Sequence, residues 1–223
     1  MAAKCQILVM ASGNGSNFQA LCDGVADSLI PMASICRLIV NRAKAFATTR
    51  ADRLGVPWEY FNLIANGFQR KGEHDETRLQ QARDAYDAAL AQKILALEPR
   101  PKLIVLAGWM YIFGCRFLDP MSKAGIRVIN LHPALPGQYQ GANAIERAFA
   151  DFKAGKITKT GIMVHYVIRE VDQGAVIMTR EVEILPDDDL GRLEARMHSY
   201  EHKLIVEATA KVVGEIKEET KEE

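Results

Sequence analysis

The sequence predicts an α/β protein in which a mostly parallel, doubly wound sheet carries helices on both faces, as a Rossmann-like variant. Short apolar runs alternate along the chain with longer amphipathic stretches. Runs such as Leu103-Ile104-Val105-Leu106 are purely aliphatic, as expected for strands buried on both faces. The later apolar runs are closely spaced, and polar residues alternate at Thr179, Glu181 and Glu183. This pattern predicts an antiparallel edge.

Seven apolar runs predict the strands, namely Ile7–Met10, Arg37–Val40, Trp58–Asn62, Leu103–Ala107, Val128–Leu131, Ile162–Ile168 and Val176–Ile184. Five stretches with apolar residues at helical spacing predict helices, namely Asn17–Ser28, Ala43–Leu54, Thr77–Leu97, Ala142–Ala154 and Asp189–Val213. Asn17 is a candidate N-cap of the first helix, and Gly55-Val56-Pro57 ends the second. Asp187-Asp188-Asp189 places acid at the positive end of the last helix.

The sequence contains no linker-like segment and no internal repeat, which predicts a single domain, 1–223. The segment Ile64–Glu76 mixes charges without a period and predicts a mobile surface loop. The terminal residues 215–223 are polar or charged after Ile216, and we expect this tail to fray.

Composition excludes several classes of protein. Lys+Arg and Asp+Glu both number 28, so the net charge is zero and a nucleic-acid binder is not expected. An anionic ligand must therefore be held by locally placed groups. No apolar run approaches the roughly 18 residues of a membrane span. The cysteines are scattered and form no CxxC pair, which predicts a reducing, cytoplasmic location; they are Cys5, Cys22, Cys36 and Cys115.

A glycine-containing loop, Ser12-Gly13-Asn14-Gly15-Ser16-Asn17, follows the first predicted strand and precedes a helix. Exposed backbone N–H groups and the helix N-terminus favour a phosphate there. The dinucleotide pattern GxGxxG fails because Phe18 occupies its last position, and no Gly-Lys-Ser/Thr of a Walker loop occurs. A single phosphate is therefore favoured over NAD or ATP. Taken alone, the motif leaves a plain glycine-rich turn about equally open.

Asn130 and His132 stand at the end of the fifth predicted strand, where α/β proteins bind ligands. Their alternation places both on one side, about 7 Å apart. A carboxamide and an imidazole can together stabilise an oxyanion and move a proton. Asp172 lies in a later turn and could pair with His132 and raise its pKa. Spacing alone does not show that contact, and for each residue singly a capping, packing or turn role stays open.

His198-Ser199-Tyr200-Glu201-His202 matches the HxxEH pattern of a zinc protease. A further ligand is needed downstream, where only 21 residues follow. The zinc hypothesis also leaves the loop at 12–17 and Asn130-Leu131-His132 without a role. We therefore expect no metal, and ordinary helix packing for both histidines.

Six motifs occur in order along the chain: Ser-Gly-Asn-Gly-Ser-Asn (12–17), Leu-Ala-Gly-Trp-Met (106–110), Asn-Leu-His-Pro-Ala-Leu-Pro-Gly (130–137), Asn-Ala-Ile-Glu (143–146), Val-Asp-Gln-Gly (171–174) and Glu-His (201–202). Together they resemble the glycinamide ribonucleotide (phosphoribosylglycinamide) formyltransferases of the separate-chain bacterial and fungal type. The resemblance covers about residues 7–213.

The resemblance implies a formyltransferase-like fold and formyl transfer from 10-formyltetrahydrofolate to the amine of glycinamide ribonucleotide, in purine synthesis and without a metal. It implies that Asn130 and His132 stabilise the tetrahedral intermediate, that His132 is the acid and that Asp172 raises the pKa of His132. The implied ribonucleotide site comprises Gly15, Ser16, Asn17 and Glu201. The implied folate site comprises Arg83, Met110, Tyr111, Ile112, Phe113, Asn130, Ile168, Arg169, Glu170 and Val171. On this scheme the N-terminal half binds phosphate and the C-terminal half binds folate.

The chain departs from the bacterial pattern at Tyr111, which stands where that pattern has arginine, and in the longer Ile64–Glu76 loop. Two related enzymes are disfavoured by length and charge. A formyltetrahydrofolate hydrolase would carry an extra N-terminal domain, and a methionyl-tRNA formyltransferase would carry a C-terminal RNA-binding domain. A non-catalytic module that binds a nucleotide phosphate would need the loop at 12–17 but not Asn130, His132 and Asp172.

Overall fold

Seven strands form one mixed sheet in residues 4–222, the part of the chain that the computed structural model describes. The strands are β1 (Cys5–Ala11), β2 (Ala33–Val40), β3 (Trp58–Tyr60), β4 (Leu103–Leu106), β5 (Arg127–His132), β6 (Lys159–Tyr166) and β7 (Val176–Glu183). Their order is β3-β2-β1-β4-β5-β6-β7. The pairs from β3 to β5 are parallel, whereas β6 and β7 run antiparallel. The predicted fold class is confirmed.

Six helices in the same residues cover the two faces of the sheet. They are α1 (Ser16–Ala26), α2 (Ala47–Leu54), α3 (Glu76–Leu95), α4 (Cys115–Lys123), α5 (Ala144–Lys153) and α6 (Leu190–Glu222). α3 and α4 enclose one apolar core with the sheet, and the other four helices enclose the second. Successive side chains of β1 lie in alternate cores: Ile7 and Val9 point into one, and Leu8 and Met10 point into the other. Each of these four side chains is fully buried.

The local sequence explains where most helices and strands begin and end, and two predictions need correction. α4 was not predicted, because Pro120 lies inside it and the segment is short. Asn17 is not an N-cap. Gly15 precedes α1 at φ 75°, and Asn17 lies inside the helix, where its side chain turns to Glu201. The predicted stop at Gly55 is confirmed, since Gly55 ends α2 at φ 66°. The predicted loop at Ile64–Glu76 contains no helix or strand as far as Asp75, whereas Glu76 begins α3; its mobility stays a prediction.

The tail that we expect to fray, residues 215–223, continues α6 as far as Glu222, and its fraying stays a prediction. Arg127 at the start of β5 pairs with Glu215 at 2.8 Å and also with Glu219, which holds the last turns against the sheet. The Tyr166 hydroxyl donates to Glu215 at 2.9 Å. The acidic residues Glu215 and Glu219 are thus held by Arg127, which is distant from them in the sequence. Glu223 lies outside the described residues.

The carboxyl ends of β1, β4 and β5 meet at one edge of the sheet, where open α/β sheets bind ligands. The loops that follow these strands therefore surround a common space. Within residues 4–222, no helix is long and apolar enough to cross a membrane.

Candidate active site

A cavity of about 560 Å³ opens at this edge of the sheet. That volume is within the range of small-molecule sites. Its walls are the loop after β1, the loop after β4, the end of β5, the segment 141–145 and the turn before β7. α6 closes one side with His198 and Glu201.

The loop after β1 turns sharply into α1 and exposes the first N–H groups of the helix. Gly15 adopts φ 75°, and a Cβ there would lie 2.6 Å from the Cβ of Ala47. Only glycine fits both the conformation and this close approach. The N–H groups of the first helical turn have no carbonyl partner within the helix and carry partial positive charge. Beside them, Asn17 Nδ2 donates to Glu201 Oε2 at 3.2 Å, and both residues are buried.

Asn130, His132 and Asp172 meet on the floor of the cavity. His132 Nδ1 lies 3.4 Å from Asp172 Oδ2, and Asn130 Nδ2 lies 3.4 Å from Asp172 Oδ1. His132 is 4% exposed, and its Nε2 has no hydrogen-bond partner in the described part of the chain. Residues that are far apart in the sequence therefore form one cluster. The contact between His132 and Asp172, which spacing could not establish, exists.

The turn that carries Asp172 is held in an unusual backbone conformation. Asp172 has φ 55°, in the left-handed region that is uncommon for a residue with a side chain. The Gly141 N–H donates to Asp172 Oδ2 at 2.8 Å and fixes the carboxylate. Two residues on, a Cβ at Gly174 would lie 1.7 Å from the Tyr166 carbonyl oxygen, so the chain passes the end of β6 too closely for any other residue.

The charges of the cluster follow from burial and contacts. Burial lowers the pKa of His132, and it outweighs the carboxylate of Asp172, which raises that pKa. The expected net increase in the pKa of His132 is therefore wrong, although the expected direction of the Asp172 contribution is right. Burial raises the pKa of Asp172, but contacts with His165, Gly141 N–H and His132 outweigh it, so the pKa falls below its usual range. At neutral pH the pair is an ionised carboxylate beside a neutral imidazole.

The loop after β4 forms an apolar wall and is anchored on α3. Trp109 stacks on Phe113, and both are at most 7% exposed. Asp87 Oδ2 accepts the Gly114 N–H at 2.7 Å. Arg83 donates to the Ile112 carbonyl at 2.9 Å, and its guanidinium lies 4.7 Å from the centre of the Tyr111 ring. Burial raises the pKa of Asp87 to about 6, against the Gly114 N–H, which lowers it.

Most of the residues predicted for the site line this one cavity. They are Gly15, Ser16, Asn17, Met110, Tyr111, Ile112, Phe113, Asn130, His132, Ile168, Val171, Asp172 and Glu201. Arg83 lies behind the wall and holds it, while Arg169 and Glu170 are exposed and do not line the cavity. The Tyr111 hydroxyl is buried, so this side chain presents no polar group to the cavity.

His165 was not predicted from the sequence, yet it faces Asn130 directly across β5 and β6. His165 Nε2 lies 3.4 Å from Asp172 Oδ1 and 3.3 Å from Asn130 Nδ2. The register between β6 and β7 shifts at Val164/His165, an irregularity of the kind that is common beside active sites. The only available signal was a histidine within an apolar strand. Ser12 was also missed; its Oγ accepts the Met110 N–H at 2.8 Å and ties the two loops together.

The zinc hypothesis finds no support in the geometry. Among residues 4–222, no three His, Cys, Asp or Glu side chains are grouped so that they could hold a metal ion.

Comparison with known proteins agrees with this geometry. Residues 5–209 match the family described as formyl transferase. The chain belongs to the formyl transferase family. It is 40% identical to the phosphoribosylglycinamide formyltransferase of Schizosaccharomyces pombe, over 95% of this chain and 98% of that protein. It is 44% identical to the protein of the same name from Dictyostelium discoideum, over 91% and 95% of the two chains.

Solved structures of the same family share the fold. The crystal structure of glycinamide ribonucleotide transformylase 1 from Symbiobacterium toebii is 28% identical, with a TM-score of 0.80 over 96% of this chain and 90% of that one. The resemblance found in the sequence motifs is therefore confirmed at the level of the family and of the fold.

Replacing Asp172 with asparagine tests the electrostatics of the cluster. The asparagine side chain keeps an acceptor for the Gly141 N–H but lacks the charge that raises the pKa of His132. We therefore expect the pKa of His132, followed by NMR of its Cε1 proton, to fall below that of the wild type. Asp187→Asn, on the exposed loop before α6, serves as the control. An unchanged or increased pKa of His132 in the Asp172→Asn variant would contradict the assignment.

Asp87 gives a prediction on stability against pH. Its pKa rises from 3.8 to about 6 on folding. The protonated carboxyl therefore favours the folded state below about pH 4, and this contribution is lost as pH rises through 6. The loss is about 3 kcal/mol. Asp87→Asn lacks this titrating group. As the pH rises from 4 to 7, its free energy of unfolding in urea should therefore increase relative to that of the wild type. Asp119→Asn, at an exposed position, should follow the wild type; parallel curves for all three proteins would refute the prediction.

Proposed function

We propose that the chain transfers the formyl group of 10-formyltetrahydrofolate to the amine of glycinamide ribonucleotide, a step of purine synthesis. The observation that carries the proposal is the position of Asn130, His132 and Asp172 between a phosphate-type loop and an apolar pocket. The names of the S. pombe and D. discoideum relatives support it. A phosphate module without catalysis would not need this polar cluster, in which His132 is buried and Asn130 and Asp172 are half-buried.

The ribonucleotide occupies the β1 side of the cavity in this scheme. The N–H groups of Gly15, Ser16 and Asn17 bind its phosphate, as helix N-termini bind anions. Glu201 binds the ribose or the glycinamide end, and its bond to Asn17 orients it. The glycinamide amine then extends toward His132.

The folate occupies the side of β4 to β6. Backbone groups of Met110–Phe113 and of Ile168–Val171 hydrogen-bond the pterin, and the Trp109–Phe113 stack forms the apolar wall. The Trp109 indole N–H is buried and has no hydrogen-bond partner among the described residues. Arg83 serves the pocket by holding the Ile112 carbonyl, and Arg169 and Glu170 contribute at its entrance.

The chemistry follows from the groups that face the reacting carbon. When the neutral amine attacks the formyl carbon, the carbonyl oxygen becomes an oxyanion. Asn130 Nδ2 has two hydrogens, and its neighbours are Asp172 Oδ1 at 3.4 Å and His165 Nε2 at 3.3 Å. In this scheme one of these hydrogens turns to the oxyanion when the folate is bound. A single such donor is worth about 3 kcal/mol, or a factor of 10²–10³ in rate.

His132 moves the proton that must pass from the amine to the leaving nitrogen. Asp172 Oδ2 lies 3.4 Å from Nδ1 and favours the tautomer with the proton on Nδ1, which leaves Nε2 of the neutral imidazole as a base. After attack, Nε2 takes the proton of the amine, and the adjacent oxyanion and Asp172 stabilise the imidazolium. The imidazolium then protonates N10 of the folate, the C–N10 bond breaks, and the formamide is released. His132 therefore acts first as base and then as acid, which extends the acid role that the sequence implied.

The proposal treats 1–223 as one domain, with the N-terminal half holding the phosphate and the C-terminal half the folate. It places the protein in the cytoplasm, where the four unpaired cysteines would stay reduced. Neither substrate requires a metal in this mechanism.

Turnover of both substrates, followed by folate absorbance, tests the function. We expect the wild type to consume 10-formyltetrahydrofolate only when glycinamide ribonucleotide is present. His132→Ala and Asn130→Ala should each lower kcat by a factor of about 10²–10³ while the proteins stay folded. His74→Ala, in the exposed loop before α3, is the matched control and should be fully active.

The alternatives give different results in the same assay. Release of formate without the ribonucleotide would indicate a formyltetrahydrofolate hydrolase. Binding of the ribonucleotide with no turnover of either substrate would indicate a phosphate-binding module.

A further inference from the structure

Arg42 stands beside the phosphate loop without a role in the scheme above. β1 and β2 are parallel neighbours in which Ala11 pairs with Val40, so the residues that follow both strands emerge at the same edge. Arg42 lies two residues beyond β2, just as Gly13 lies two beyond β1. The segment after Arg42 packs on the loop, because the Ala47 N–H donates to the Gly13 carbonyl at 3.2 Å.

The charges around the cavity make Arg42 distinctive. Asp172 and Glu201 both line the cavity, and the proposed ribonucleotide adds a phosphate dianion. Within the described part of the chain, Arg42 is the one lysine or arginine that lines the cavity. Without a cation, the phosphate would be bound by backbone dipoles alone while sharing the cavity with two carboxylates.

The guanidinium of Arg42 is available for a ligand. It is exposed, and in residues 4–222 no hydrogen bond or ion pair engages its side chain. Arg50, the next arginine of this region, is already engaged. Its guanidinium donates to the carbonyl oxygen of Asn14 at 3.0 Å and to the side-chain oxygen of Asn14 at 2.8 Å. Arg50 thus shapes the loop, whereas Arg42 is free to reach over it.

We propose that Arg42 is a specificity residue that pairs with the 5′-phosphate of the ribonucleotide and selects it over the unphosphorylated riboside. This inference rests on the proposed function for the identity of the substrate. An arginine fork matches phosphate geometry and forms charge-assisted hydrogen bonds. The interaction is the same in the ground state and in the transition state, so it acts on KM rather than on kcat.

Three variants test the role of Arg42 with two substrates, glycinamide ribonucleotide and its dephosphorylated riboside. Arg42→Gln should raise KM for the ribonucleotide about 10- to 100-fold, with kcat, KM for the folate and kcat/KM for the riboside unchanged. Arg42→Lys keeps the charge and should recover most of the loss. Lys44→Gln, which removes an exposed cation outside the cavity, should behave as the wild type. A loss equal for both substrates, a KM effect on the folate alone, or no effect would overturn the proposal.

A binding measurement separates this inference from the proposed function. Calorimetric titration with ribose 5-phosphate, and with ribose as its control, needs no turnover. The wild type should bind ribose 5-phosphate and Arg42→Gln should bind it at least about 10-fold more weakly. If the wild type did not transfer the formyl group but still bound ribose 5-phosphate more tightly than Arg42→Gln, the proposed function would be refuted and the role of Arg42 would stand. Equal affinity of the two proteins would overturn the role of Arg42 even in an active enzyme.

Discussion

The ionised carboxylate of Asp172, whose side chain is 9% exposed, is the constraint around which the site is arranged. An isolated carboxylate in a protein interior costs several kcal/mol unless donors and cations compensate it. Here the Gly141 N–H, the Asn130 amide and two histidine rings surround it. To bring these groups together, Asp172 adopts φ 55° and the segment before α5 folds over the turn with Gly141 at φ 80°. The left-handed backbone and the polar cluster are therefore parts of one arrangement.

The order of the strands divides the cavity between two ligands. β1, an interior strand, carries the phosphate-type loop, whereas the next two strands in the sheet, β4 and β5, carry the apolar wall and the catalytic residues Asn130 and His132. The Ser12–Met110 hydrogen bond ties the two regions together, so a shift of one loop is transmitted to the other. Holding two reactants in a fixed relation contributes a large part of the catalytic effect in any bimolecular transfer. Rigid strands beneath the loops make that possible.

Much of the fold was predictable because it depends on local patterns. Aliphatic runs such as Leu103–Leu106 indicated buried strands, and the turn at Gly55 indicated a helix end. Features that depend on distant contacts were not predictable. The end of α6 is ordered by Arg127, and His165 enters the site through the pairing of β5 with β6. The pKa of His132 was predicted in the wrong direction, because sequence shows a neighbouring carboxylate more readily than the depth of burial.

The most direct test of the account is a crystal structure with glycinamide ribonucleotide and a folate analogue that cannot transfer its one-carbon group. The account predicts the phosphate at the N–H groups of residues 15–17. It also predicts the one-carbon group within hydrogen-bond distance of Asn130 Nδ2 and His132 Nε2, with the pterin against the loop of residues 110–113. A folate bound elsewhere, or a phosphate away from the N-terminus of α1 with the amine distant from His132, would contradict it.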